Sequence, residues 1–500
     1  MQRYGFLIRL SALSMLVLLT GLSGSAAAQE TVTWSEPVNL SNSPTGSVHP
    51  AIVADAYGHV HVFWGEDMNG APMETDEILE SAANTIMYRR WDGASWSEPV
   101  DVLAVAGEDV AEFIAVTVDP SGRIHATWKG QSNIYYSSAP AWEAGNVHAW
   151  TKPVAIATDN AASMRESSIA ASPSGDIHVI YATRGTTQGT SAEVYHVSLG
   201  EGGTIRSAPR MISAPLTPLE RGYANLRLVS DAAGRLHAVW QSFQRQGFGQ
   251  GVYYSRSLDG GSSWSAPNLL RYREGRDVFV EWPYLTVGAN SDLHLVYASG
   301  SSVGRAYRIS RDGGETWSEP GSIVQELEGI NGYVMPVLDG ADQVHLIANM
   351  RTREGQVVGI YHARSTDDGF STSTPIAVEA PYAPSAHYTA AAVRLGDEIH
   401  VVWNSIAGSE IWHTRGKVQG VMASPALTIP TPVPKASLAL LPTATAVEAA
   451  ATSAPIPVAA HLPGVQRATA STMQSLLISL LPAVLLVLGT ILWARTRLRR

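Results

Sequence analysis

Apolar and polar positions alternate with a period of two through much of the chain between Trp34 and Arg415. In the stretch 122–128, Ile124, Ala126 and Trp128 fall on one side and Arg123, His125 and Thr127 on the other, which is the pattern of a half-buried strand. The phrase recurs around His61, His178, His237, His294, His345 and His400, at intervals of 51 to 64 residues. An Asp- or Ser-x-x-Gly turn precedes several of these strands, as at 119–122, 172–175 and 231–234, so a hairpin leads into each. A fixed period of this size predicts one supersecondary unit repeated, each copy burying its neighbour's face.

Three further segments complete the unit. A strand opens it, as in 51–54, 114–117 and 225–228, and an aromatic strand follows the histidine, as in Ile134-Tyr135-Tyr136-Ser137 and Val252-Tyr253-Tyr254-Ser255. A Trp-Ser-x-Pro phrase then supplies the last strand, at Trp34, Trp96, Trp264 and Trp317, with Trp150-Thr151-Lys152-Pro153 as a variant. Four short strands seven times over, with no helical period, predict an all-β fold, a seven-bladed β-propeller. The first unit begins with its last strand at Trp34 and the last stops after a third strand at Trp412, so the N-terminal strand is expected to complete the seventh blade.

Ser257-x-Asp259-x-Gly261-x-x-Trp264 and Ser310-x-Asp312-x-Gly314-x-x-Trp317 match the Asp-box, Ser-x-Asp-x-Gly-x-x-Trp. These repeats resemble the bacterial-neuraminidase (BNR) repeats of the sialidase-like propeller superfamily, over nearly the whole of 29–417. The resemblance implies that the Asp-box is a structural hairpin between the two outer strands, remote from any ligand. It also implies six blades as the alternative architecture, since sialidases proper have six. The residues fit the structural role: the carboxylate accepts backbone N–H bonds across a tight turn while the tryptophan packs between blades.

The termini predict an address. Arg3 and Arg9 precede an apolar run at 10–22 and a small-residue stretch, which reads as a signal peptide over 1–28. At the other end 472–494 holds a 19-residue apolar stretch, 476–494, followed by the basic tail 495–500. That predicts a single membrane-spanning helix with a cytoplasmic C-terminus and the propeller outside the cell. Between them 418–471, rich in Ala, Pro and Thr, reads as a disordered stalk. The chain has no cysteine, which excludes thiol chemistry and disulfide staples. A net charge of −10 with no basic run outside the tail argues against nucleic acid. A monomeric ectodomain is expected.

No cofactor and no metal are expected, because equivalent histidines on successive blades are splayed around a ring rather than converging on one point. Function is expected where the repeats diverge: in the loops that open each innermost strand and those joining second and third strands, which share one face. Arg165, Arg221, Tyr223, Glu281, Trp282, Tyr333, Tyr388 and Glu112 fall in the first set; Glu66, Asp67 and Arg351 in the second. Aromatic faces beside planar polar groups suit a sugar ring, and several arginines suit a carboxylate.

The resemblance implies a sialidase-type site, with Arg165, Arg221 and Arg351 as clamp, Tyr333 or Tyr388 with Glu281 as nucleophile pair, and Asp67 or Glu66 as acid. The family's Phe/Tyr-Arg-Ile-Pro motif, however, is missing. The reading preferred from sequence is therefore a non-catalytic propeller that recognises a glycan or a surface protein through Arg165, Arg221, Arg351, Tyr223, Trp282, Tyr388 and Glu112. An exo-sialidase or other glycosidase, and a protein scaffold or sensor, are the alternatives.

Overall fold

The computed structural model describes residues 32–430 apart from 69–82, 132, 159–165, 184–192, 245–248, 276–278, 301–303, 329–332, 353–357, 379–383 and 406–409. The described chain forms seven antiparallel sheets in sequence order. In the first blade, Ser47–Ala54 is innermost, followed outward by Val60–Glu66, Thr85–Trp91 and Val100–Leu103. The other innermost strands are Glu112–Val118, Ser167–Ala171, Gly222–Ser230, Phe279–Val287, Val334–Leu338 and Pro384–Arg394. Each packs against the next, and the seventh packs against the first, so the ring is closed. The protein is a seven-bladed propeller, and the six-bladed alternative is set aside.

Closure uses the two ends of the chain. Val32–Trp34 and Val38–Asn39 both pair antiparallel with Ile411–Val418, the third strand of the seventh blade, with Thr33 opposite Lys417 and Val38 opposite His413. The segment after Val418, which composition assigned to the stalk, is held to the propeller at two points: Ser424 N–H donates to Leu395 O and Leu427 N–H to Ala56 O, both at 2.8 Å. Among the described residues no helix is long and apolar enough to cross a membrane; 476–494 lies outside them, as does 1–28.

The core lies between consecutive sheets. Three residues after the repeat histidine stand Trp64, Trp128, Trp240 and Trp403, each fully buried, with Tyr181 and Tyr297 in the same place in blades three and five. The histidines serve their own blades. His125 Nε2 meets Asp119 Oδ2 at 3.1 Å and its Nδ1 meets Tyr136 Oη at 2.7 Å, tying turn, second strand and third strand together. The same chain runs Asp231–His237–Tyr254 and Asp339–His345–His362. The aspartate is fixed in turn by backbone donors, as Asp119 is by the N–H groups of Ser121 and Arg123. Burying an imidazole without such partners is costly, and His413, whose Nε2 meets His400 while its Nδ1 is buried unpaired, is an exception.

The outer hairpins join blades. Ser310 Oγ donates to Asp312 Oδ1 and accepts Gly314 N–H, while Asp312 also accepts from Thr316 N–H. The turn at 257–264 repeats this with Ser257, Asp259, Gly261 and Ser263. Each tryptophan then reaches the preceding blade: Trp317 meets Tyr254 edge-on at 5.2 Å, and Trp264 meets His196 at 5.2 Å. Gly314 has φ +82°, and a Cβ there would collide with the Tyr254 hydroxyl that His237 holds. Left-handed backbone and overpacking each cost roughly 1–3 kcal/mol. Gly314→Ala should therefore lower stability by about 2–5 kcal/mol, whereas Gly234→Ala, with positive φ but open space, should lose only the backbone part. Urea midpoints of the two variants decide it; equal losses would remove the collision from the explanation.

Candidate functional site: the axial aperture

The innermost strands do not run straight to their mouths. Register shifts interrupt them between Val48 and Ala51, Glu112 and Ala115, Ala224 and Arg227, and Glu281 and Tyr284. At each of these bulges one non-glycine residue sits in left-handed backbone: His49 (φ 54°), Phe113 (52°), Asn225 (52°) and Trp282 (58°). A bulge re-aims the side chain it carries, and strained non-glycine residues persist only where the surroundings enforce them. Here second-strand amides enforce them. Trp282 N–H donates to Gln241 Oε1 of the preceding blade at 2.6 Å, and His49 N–H donates to Asn404 Oδ1 at 3.2 Å.

The re-aimed rings meet across blades. His49 stacks on Phe113 at 3.9 Å with 23° between planes and meets Tyr388 edge-on at 4.2 Å, joining blades one, two and seven. Trp282 meets Tyr333 edge-on at 4.9 Å, joining blades five and six. In the fourth blade Arg227 lies over the Tyr284 ring of the fifth at 4.8 Å. Each of these contacts joins the innermost strands of neighbouring blades.

Charge enters the same space in pairs. Lys129 Nζ donates to Glu112 Oε1 at 2.6 Å, with His49 Nδ1 3.9 Å from the other carboxylate oxygen and the ammonium 5.7 Å from the Phe113 ring centroid. Tyr333 is buried, and burial raises its phenol well above the usual range. Glu166, Arg227, Tyr388 and Tyr284, from four other blades, all act electrostatically on that hydroxyl. One Glu166 carboxylate oxygen is buried without a hydrogen-bond partner.

The structure gathers some of the residues singled out from sequence and disperses others. Trp282, Tyr333, Tyr388 and Glu112 are at the axis. Glu281 accepts Gly249 N–H at 3.0 Å at the joint of blades four and five, close to Arg305 and to the Trp282 side chain; burial is the main cause raising its carboxyl. Tyr223 is core: its hydroxyl donates to Ala214 O at 2.8 Å and its ring meets Trp240 and Tyr253. Arg221 bonds the carbonyls of Pro218 and Glu220, both at 2.8 Å, and Arg351 pairs with Glu328 at 3.1 Å. Asp67 sits half-buried at the end of its strand, its N–H on Gly46 O. Glu66 is buried and accepts from Trp64 Nε1 at 2.8 Å and Ser47 Oγ at 2.6 Å. Arg165 lies outside the described residues.

No protein-family model matches the chain, and no curated protein matches it in sequence. Solved structures do resemble it. A protein of unknown function from Dyadobacter fermentans is 12% identical, with 78% of this chain and 99% of the other covered at a TM-score of 0.48. The polysaccharide lyase Uly1 is 12% identical, over 75% and 90% of the two chains at 0.49. An intramolecular trans-sialidase from Ruminococcus gnavus is 12% identical, over 78% and 97% at 0.42. At such identities the likeness is one of fold alone.

His49, Phe113, Lys129, Glu166, Arg227 and Tyr284, all of which reach the aperture, were not among the residues chosen from sequence. Arg227 alternates with the buried Leu226 and Leu228, and a charge inside an innermost strand was the available signal. Glu166 opens the third blade next to Arg165, where the repeat phase puts it on the aperture face, but it was not selected as a candidate.

Proposed function

We propose that the protein is a non-catalytic recognition propeller that takes a glycan into its axial aperture. The observation that carries this reading is the set of strained bulge residues that turn His49 toward Phe113 of the next blade and Trp282 toward Tyr333 of the next. Rigid aromatic faces with a few fixed polar groups, here Arg227, Glu112 and Glu166, are what a sugar ring binds: C–H faces stack on the rings and hydroxyls meet the charges. The pieces of a hydrolytic pair favour binding over turnover. Burial disfavours the Tyr333 phenolate that a nucleophile requires, and Glu281 is engaged with Gly249 rather than with that hydroxyl. In this reading the propeller is displayed outside the cell by the 472–494 segment.

The test is direct binding of the purified full chain to a panel of neutral, amino-substituted and sialylated oligosaccharides, with product analysis in parallel. Binding without product is expected, weakened about 10- to 100-fold in Trp282→Ala, as loss of a stacking platform of roughly 1–3 kcal/mol requires. Release of reducing sugar that disappears in Tyr333→Phe would replace the reading with a glycosidase. Binding that Trp282→Ala leaves untouched would move recognition away from the axis.

A further inference from the structure

On the face opposite the aperture's opening loops, the first blade departs from its six sisters at one position. Four residues after the turn residue Asp55, and two before the repeat histidine His61, stands His59. The same place holds Arg123, Asp176, Arg235, Asp292, Gln343 and Glu398 in the other units. Asp55 Oδ1 accepts the backbone N–H groups of Tyr57 and His59, leaving Oδ2 to face both imidazoles: His59 Nδ1 at 3.0 Å and His61 Nε2 at 3.1 Å. All three side chains are buried, and the three ligand atoms lie within 4.8 Å of one another.

We infer that Asp55, His59 and His61 form a site for a divalent transition metal, zinc the best fit. Two imidazoles and one carboxylate are a recurrent donor set for such ions. At Zn–N and Zn–O distances near 2.1 Å, ligand atoms of a tetrahedral ion stand about 3.4 Å apart, so the present 3.0 and 3.1 Å carboxylate–imidazole separations open by a few tenths of an ångström, and the two imidazole nitrogens already lie within 4.8 Å of each other. The outer shell is also in place. His61 Nδ1 is 2.8 Å from Tyr88 Oη, which can accept its proton and leave Nε2 as the lone-pair donor. The other carboxylate oxygen is fixed by two backbone donors, which holds Oδ2 in position. A fourth ligand would be water, reached past His59, the most exposed of the three side chains.

The repeat itself supplies the control. In the sixth blade Asp339, Gln343 and His345 occupy the three places, and Asp339 Oδ2 meets His345 Nε2 at 3.2 Å. His59→Gln therefore copies a working unit of this chain, and His59→Arg copies the second and fourth. The experiment is titration of the full chain, first stripped with chelator, with zinc chloride, for wild type and both variants. One tight site is expected in the wild type, weakened at least ~100-fold in each variant, since a three-ligand site that loses one ligand loses more than the outer-shell cost of 10- to 100-fold. The melting temperature of the wild type should rise with zinc and that of the variants should not. Cobalt(II) bound in place of zinc should give the visible bands of a four-coordinate site only in the wild type. Wild type and variants with equal zinc affinity, or no binding by a folded wild type, would overturn the inference. Because the probe is the metal alone, neither outcome depends on what the axial aperture binds.

Discussion

Lowering the pH from 7.5 to 4.5 should unfold the propeller at progressively lower temperature or urea concentration, with most of the loss between pH 6.5 and about 4. Burial depresses His237 and His294 from the usual 6.5 to about 4, each with its Nδ1 on a tyrosine hydroxyl of the next strand. The folded state therefore prefers these rings neutral. Above about pH 6.5 neither state carries the extra proton and the stability is fully present. Below it the unfolded chain binds protons that the native state refuses until about pH 4, so stability falls with falling pH. A pKa unit is worth about 1.4 kcal/mol, so by pH 4.5 these two rings alone remove roughly 5 kcal/mol, comparable to a typical domain's whole stability.

His178, His196, His362, His400 and His413 are depressed in the same direction, with desolvation first among the causes in each case. The carboxylates work in a lower window. Asp119 and Glu398, both held down to about 2, give up their contribution only as pH falls below the ordinary carboxylate range. Urea midpoints at pH 7.5, 6, 5 and 4.5 check the claim, and a midpoint flat from 7.5 to 5 would refute it. His237→Gln should be less stable at pH 7.5 yet show a shallower slope, because one refused proton is gone.

The same histidines show how far the sequence could be read. Period-two alternation, the Asp-x-x-Gly turns and the aromatic three residues after six of the seven histidines are local features, imposed by pleating and by hairpin geometry. Blade number, strand order and the closing role of the N-terminal strand are consequences of them. The aperture was harder, because a bulge inserts one residue and inverts the facing of every later position in its strand. His49, Phe113, Asn225 and Trp282 share no residue type that announces one. Tyr223 and Arg221 left the aperture for a different reason: nearby carbonyls at Ala214, Pro218 and Glu220 captured them, and such pairings depend on loop shape. The zinc cluster is hidden from any comparison of equivalent histidines between units, because His59 and His61 lie within one.

Deleting residues 1–39 should cause the other large loss. Without Val32–Trp34 and Val38–Asn39 the third strand of the seventh blade becomes an open edge, and the ladder opposite Lys417, Gly416 and His413 is gone. The Ser35 N–H bond to Arg415 O disappears, with the Ser35 hydroxyl's contacts to Thr414 and Arg415 N–H. So does the edge-on contact of Trp34 with His362 at 5.5 Å, which ties blade seven to blade six. At about 1 kcal/mol per hydrogen bond the loss is roughly 5 kcal/mol before any apolar surface is counted, or about 6 °C in Tm for a domain of this size. An unpaired edge also invites pairing between chains. The deleted chain should therefore melt about 6 °C lower and aggregate, and a synthetic peptide covering 30–46 should restore both monomer and Tm by rebuilding the edge in trans. A deleted chain that stays monomeric with an unchanged Tm would mean that the contacts between first and seventh innermost strands, aided by the bonds of Ser424 and Leu427 to Leu395 and Ala56, close the ring without the N-terminal strand.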